Sequence, residues 1–309
     1  VVGDSLGTLT YTENSGASVI DNTITIQGDA DDTEMSGATI TISNGFTGGD
    51  VLGFTDQNGI TGSQLYSFDS GENVGGYGYY GYDVELADVD GDGDLDAFFA
   101  NYHGQSNRVW LNDGDGTFTF TQSLGNRYSW EVALADVDGD GDLDAFVANS
   151  QGQGNKVWLN GGSGSFTDSN QSLGSRYSRG VELADLDGDG DLDAYVANYE
   201  SQGNKVWLND GSGSFTDSGQ SLGSYQSNDV KLADFDNDGD LDAFVANYNQ
   251  GNRVWLNDGS GSFTDSGQSL DSGPDNSYGV DLADLDGDGD VDAYVVNSGE
   301  SNKVWLNNG

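Results

Sequence analysis

The sequence predicts an all-β protein: a five-bladed β-propeller of four-stranded blades, preceded by a small N-terminal β domain. Three observations carry this expectation. One phrase recurs at a near-constant period, each period holds four short alternating runs separated by turns, and no helical periodicity of useful length appears. The phrase reads DVDGDGDLDAFFANY from Asp88, DVDGDGDLDAFVANS from Asp136, DLDGDGDLDAYVANY from Asp185, DFDNDGDLDAFVANY from Asp234 and DLDGDGDVDAYVVNS from Asp284. The spacings are 48, 49, 49 and 50 residues. An even period of this length is one supersecondary unit used five times.

Each unit has the same order. An alternating run such as Val84-Glu85-Leu86-Ala87 or Val230-Lys231-Leu232-Ala233 comes first. The acidic loop follows, then an apolar run such as Ala145-Phe146-Val147-Ala148. The third run is N-[KR]-V-W-L-N, at 107–112, 155–160, 204–209, 252–257 and 302–307. A Gly-Ser turn leads to G-S-F-T-D-S at 164–169, 213–218 and 261–266, with a looser form from Gly116 to Thr121. Four short strands in about 40–50 residues are the signature of a propeller blade.

The ends of the repeat region suggest how a ring closes. The last unit stops at Val304-Trp305-Leu306-Asn307 without its fourth strand, and an orphan run, Ser67-Phe68-Asp69-Ser70-Gly71, precedes the first unit. Pairing of strand 67–74 with the last unit would make 65–309 a closed ring, which removes aggregation-prone edges. A rival closing strand, Thr8 to Asn14, would instead make the first residues a degenerate sixth blade. Residues 1–64 lack Lys, Arg and the acidic phrase, and carry Thr- and Ile-rich runs at 8–12, 23–27 and 38–43. They are expected to form a small β domain, marginal alone at that size without a disulfide.

Composition narrows function. Of 309 residues, 9 are Lys or Arg and 53 are Asp or Glu, a formal net charge of −44. Nucleic-acid partners are not expected, because their backbone calls for a positive surface. An anionic membrane repels the chain, and no apolar run is long enough for direct membrane insertion. There is no Cys, so disulfides, thiolate metal sites and Cys nucleophiles are excluded. The chain starts Val1-Val2-Gly3, which fits a processed chain or a fragment.

The acidic loops are the candidate metal sites. Asp recurs at loop positions 1, 3, 5, 7 and 9, with Gly at 6 for a sharp turn. The residues are Asp88, Asp90, Asp92, Asp94 and Asp96; Asp136, Asp138, Asp140, Asp142 and Asp144; Asp185, Asp187, Asp189, Asp191 and Asp193; Asp234, Asp236, Asp238, Asp240 and Asp242; and Asp284, Asp286, Asp288, Asp290 and Asp292. Five carboxylates in nine residues repel one another unless a cation sits among them. The spacing is that of the start of an EF-hand loop, without the flanking helices. An all-oxygen donor set predicts Ca2+, one ion per blade and about five in all; Zn2+ would call for His or Cys, and His103 is the single His.

With those motifs in view, the units resemble the VCBS/FG-GAP-type repeats of calcium-binding β-propellers, related to the integrin α-subunit head. The resemblance implies Ca2+ ligation by side chains at positions 1, 3, 5 and 9 and by the backbone at 7. Integrin-like rings have seven blades and this chain shows five. The stretch from Tyr11 to Ser63 resembles part of a cadherin-like module of large bacterial surface adhesins. A truncated sandwich of that kind would present an edge that a neighbouring subunit completes.

Five of the six Trp are in phase, at Trp110, Trp158, Trp207, Trp255 and Trp305. Sugar stacking and blade-to-blade packing both explain them, and packing is favoured because each lies between Val and Leu. Trp130 breaks the phase: its counterparts are Tyr82, Arg179, Asn228 and Tyr278, so the fold does not require an aromatic there. Trp130 and the cluster Tyr77, Tyr79, Tyr80 and Tyr82 are candidate contact residues. His103 has no credible triad partners. Asn170-Gln171-Ser172 is a weak glycan acceptor signal.

The expected function is non-enzymatic: an extracellular or cell-surface protein, bacterial in type, stiffened by calcium. Its expected role is structural or adhesive, as in a surface filament or layer, through self-association or other surface proteins. The alternatives are a lectin-like propeller with glycans as partners and, with least support, a polysaccharide hydrolase or lyase.

Overall fold

A computed structural model describes Val74 and residues 78–270 and 276–309. The described residues form five antiparallel sheets in tandem. The first blade holds β1 (Gly81–Ala87), β2 (Asp96–Asn101), β3 (Gln105–Asn112) and β4 (Phe118–Arg127). The second holds β5 (Ser129–Ala135), β6 (Asp144–Asn149), β7 (Lys156–Asn160) and β8 (Phe166–Asp168). The third holds β9 (Ser178–Ala184), β10 (Asp193–Asn198), β11 (Lys205–Asn209) and β12 (Phe215–Asp217). The fourth holds β13 (Ser227–Ala233), β14 (Asp242–Asn247), β15 (Asn252–Asn257) and β16 (Phe263–Leu270). The fifth shows β17 (Ser277–Ala283), β18 (Asp292–Asn297) and β19 (Lys303–Trp305). Strand order follows chain order in every sheet. The repeat units are therefore blades, and the fold is the predicted all-β propeller. The 1–64 domain, the rival blade from Thr8 and the closing strand at 67–74 lie outside the described residues, Val74 excepted.

The core sits in the seams between blades. Phe98 and Ala100 of the first blade meet Val132, Ala145, Val147 and Trp158 of the second. Phe146 and Ala148 meet Val181, Ala194, Val196 and Trp207 at the next seam, and Tyr195 and Ala197 meet Val230, Ala243, Val245 and Trp255 at the third. Phe244 and Ala246 meet Val280, Ala293 and Val295 at the fourth, with Trp305 packed alongside. Both faces of an inner blade are buried, which is why its second strand is apolar throughout rather than alternating. Four of the five phased Trp thus lie in seams, as the packing explanation requires. Trp110, on the first blade's outer-facing side, stacks on Phe120 instead.

The seams are also cross-linked by polar groups. Gln122 of β4 accepts from the Phe166 amide and donates to the Phe166 carbonyl, at 2.9 and 2.7 Å. Gln171 and Gln220 accept from Phe215 and Phe263 in the same way. Satisfying buried backbone groups across a seam fixes the blade spacing as well as the packing does.

Candidate metal centres

Each acidic loop joins the first strand of its blade to the second, so all five loops lie at the same end of their sheets. The glycine at position 6 is left-handed in every loop, with φ between 97° and 100° at Gly93, Gly141, Gly190, Gly239 and Gly289. A side chain is strained there. In the fourth loop Asn237 stands at position 4 with φ 62°, a conformation Asn tolerates, and its Nδ2 donates to Asp290 of the fifth loop at 3.0 Å.

The structure brings positions 1, 3 and 9 together. Carboxylate oxygens of Asp88, Asp90 and Asp96 lie within 4.8 Å of one another, as do those of Asp136, Asp138 and Asp144, of Asp185, Asp187 and Asp193, of Asp234, Asp236 and Asp242, and of Asp284, Asp286 and Asp292. The other two positions have different contacts. Position 5, Asp92 in the first loop and Asp140, Asp189, Asp238 and Asp288 in the others, accepts the backbone N–H of position 7 at 3.0 Å. Position 7 (Asp94, Asp142, Asp191, Asp240, Asp290) turns its carboxylate toward a turn glycine after the third strand. A Cβ at Gly162 or Gly211 would collide with Asp142 or Asp191.

Position 9 is the keystone. One oxygen of Asp144 accepts the N–H of Val137 and the other the N–H of Asn160, at 3.1 and 2.7 Å. Asp96, Asp193, Asp242 and Asp292 repeat the pair, on the amides of loop position 2 and of the Asn that ends the motif V-W-L-N. Burial pushes Asp144 and Asp193 up to about 6 and raises Asp242. Asp90, Asp138, Asp187, Asp236 and Asp286 are raised as well, by desolvation first and neighbouring aspartates next. Carboxylates held this close, one of them buried in each loop, favour a bound cation, and each oxygen that accepts one N–H keeps a lone pair for a ligand bond. Three hard oxygens per site fit a hard cation.

The same loops reach across the seams. The carbonyl of Val89 accepts from Gly164 N and from Asn160 Nδ2 of the next blade, at 3.0 and 2.7 Å. Val137 and Leu186 accept equivalent pairs from the third and fourth blades, and Phe235 accepts from Asn307. Sequence reasoning placed the loops but missed these asparagines. The signal was present in their phase, since the final Asn of V-W-L-N recurs in every unit.

The other singled-out residues that the structure describes lie at the opposite end, where the first strands begin; Tyr77 lies outside the described residues. Trp130 stacks beside Tyr82 and Tyr102, at centroid distances of 4.6 and 5.5 Å. His103 stands edge-on to Tyr80 and Tyr102. Tyr79 lies under the guanidinium of Arg108.

Four four-stranded blades and a fifth with three strands among the described residues, each with an aspartate loop that could hold a cation, define a repeat β-propeller. The family model for the FG-GAP-like repeat matches residues 88–147, 136–196, 185–245 and 234–295, most of the chain, and the protein belongs to that family. No curated protein matches the chain. Among solved structures it resembles BBS1N, crystallised in complex with ARL6DN, at 13% identity and TM-score 0.50, over 77% of this chain and 66% of that one. It also resembles a lectin of Agrocybe aegerita that recognises non-reducing terminal N-acetylglucosamine, at 23% identity and TM-score 0.48, over 72% and 65%. A third is the V. cholerae biofilm matrix protein Bap1, at 19% identity and TM-score 0.41, over 69% and 34%. The chain spans less than two thirds of each of these proteins, and the likeness is one of fold.

Proposed function

We propose that the protein is an extracellular, calcium-stabilised structural or adhesive module that associates with further copies of itself through its first and last blades. The observation that carries this is the state of the two terminal faces. Val84 is 45% exposed, whereas its counterparts Val132, Val181, Val230 and Val280 are between 1% and 5%. Tyr294 is 42% exposed, whereas Phe98, Phe146, Tyr195 and Phe244 are at most 2%. Leu86 on the first blade and Val296, Val304 and Leu306 on the last are exposed in the same way. Among the described residues these faces are the two halves of a blade seam, and in this account the last blade of one copy matches the first blade of another. Such a contact is heterologous and propagates into a chain of copies. Completing the burial of each half-exposed side chain contributes about 1 kcal/mol. Six of them give a total comparable with the lower estimates of the cost of association. The contact is therefore concentration-dependent rather than permanent.

In this account calcium is held by the aspartates at positions 1, 3 and 9, with positions 5 and 7 available through the resemblance to calcium-binding repeats. It neutralises the carboxylates and holds loop position 2, whose carbonyl ties one blade to the next. Extracellular calcium modules work at roughly 10⁻⁴–10⁻³ M, and five divalent ions would bring the formal charge from −44 to −34. The module is not an enzyme in this account. Sedimentation velocity of the full chain across a concentration series, with millimolar calcium and with chelator, is the test. Growing species that vanish in Val84→Glu and in Tyr294→Glu support the proposal. A monomer at every concentration in calcium overturns it.

A further inference from the structure

In every blade the ladder between the first and second strands slips by one residue at the same place. Gly81 pairs with Asn101 and Asp83 with Ala100, so Tyr82 is skipped. The same slip skips Trp130, Arg179, Asn228 and Tyr278. A bulge bends the strand and re-aims the extra side chain. All five re-aimed side chains, one from each blade, line a single cavity of about 240 Å³ together with Asp83, Glu131, Asp229 and Lys231.

The residues around these bulges recur. Val follows two places on in all five blades, and Ser precedes in four. The bulged residue itself is different in nearly every blade, although the backbone around it is the same. Packing does not dictate it, and five residues 48 to 50 apart in sequence meet only at the axis.

Their chemistry is mixed. Tyr82 and Trp130 give an aromatic wall, and Tyr278 is half exposed at the rim. The Arg179 guanidinium is held between Tyr199 and Trp130, 3.4 and 4.2 Å from the ring centroids. It donates to Asn228 Oδ1 at 2.5 Å, while its buried Nε has no partner among the described residues. Below, Asp83, Glu131 and Asp229 each accept an amide of the following inner strand, from Val132, Val181 and Val280. Each carboxylate has acceptor capacity beyond one such bond. Lys231 pairs with Glu182.

We propose that this axial cavity binds one ring of a neutral sugar. Aromatic faces suit the C–H face of a pyranose, and sugar hydroxyls both donate and accept, which matches Arg179 beside three carboxylates; Asn228, whose Nδ2 donates to the Ser277 carbonyl, holds Arg179 in place. A strongly acidic sugar is disfavoured by the charge of the whole chain. Arg179 and Lys231 offset two of the three wall carboxylates. The volume lies below the roughly 300–1,000 Å³ of drug-sized pockets, which limits the occupant to about one ring. All the lining residues belong to one chain, so the site stands or falls separately from self-association.

The test is calorimetric titration of the full chain, in millimolar calcium, with methyl glycosides of neutral hexoses and N-acetylhexosamines and with the matching uronic acids. Saturable binding of a neutral glycoside is expected, weakened at least tenfold in Trp130→Ala and in Tyr278→Ala. Tyr278 is half exposed, so its variant should keep the wild-type melting temperature and remain informative if Trp130→Ala does not fold. No heat with any neutral glycoside, preference for the uronic acids, or binding that survives Tyr278→Ala unchanged would each overturn the proposal.

Discussion

At one end of the propeller five loops repeat a single arrangement, down to the two amides that each position-9 aspartate accepts. At the other end five bulges repeat a backbone and vary the side chain, from Tyr82 through Trp130, Arg179 and Asn228 to Tyr278. Every blade needs the same loop because every seam needs the same tie. The axis is a single place shared by five blades, and identical residues there would make a symmetric plug. In the proposed reading, repetition marks the holding end and variation marks the recognising end.

Removing metal is the broadest way to break this contrast. With ligand at 100 times its dissociation constant, each site adds about 2.7 kcal/mol. Five sites then add on the order of 10 kcal/mol, comparable with the whole stability of a typical domain. Chelation is expected to lower the calorimetric melting temperature by tens of degrees, with calcium restoring it better than magnesium. An unchanged melting temperature would leave the loops as solvated turns.

Single aspartates sharpen the comparison within one loop. Asp193→Ala leaves the buried amides of Leu186 and Asn209 without an acceptor. It should cost about 2–4 kcal/mol in chelator, since an unsatisfied buried donor costs roughly 1–3 kcal/mol. Asp191→Ala, whose carboxylate faces a turn, should cost under about 1 kcal/mol by denaturant titration. Equal losses would remove the keystone role.

Acidity gives a smaller effect of definite sign. Asp144 and Asp193 are pushed up to about 6 by burial, above the ordinary value of 3.8. Between those limits the metal-free folded state holds more protons than the unfolded one. The stabilising contribution is full below pH 4 and is lost as pH rises through about 6. In chelator the melting temperature should fall from pH 4 to pH 7. In saturating calcium that fall should flatten, because the ion takes the deprotonated carboxylates. Parallel melting curves with and without calcium would count against competition at these sites. Least of all, Tyr278→Ala should shift stability by no more than about 0.5 kcal/mol.

Much of this was legible from residues alone. The 48–50-residue period placed all five blades, because each strand and turn is specified by neighbours within its own unit. The phase of Trp158, Trp207 and Trp255 pointed to seams for the same reason. The odd status of Trp130 was visible as a break in phase, but its meaning was not. Nothing local says that Trp130, Arg179 and Asn228 meet, since no two lie within one blade.

The sequence by itself determined the repeat, the strand order and the carboxylate-rich loops, all consequences of contacts close along the chain. Tertiary structure decided which three aspartates of five come together, because position 9 is anchored on the amide of the Asn that ends the third strand as well as on that of loop position 2. It decided that Asn160 and Asn209 tie each loop's neighbour to it. It also decided that one bulged residue from each blade faces a common axis, since that meeting arises only when the blades are assembled around it.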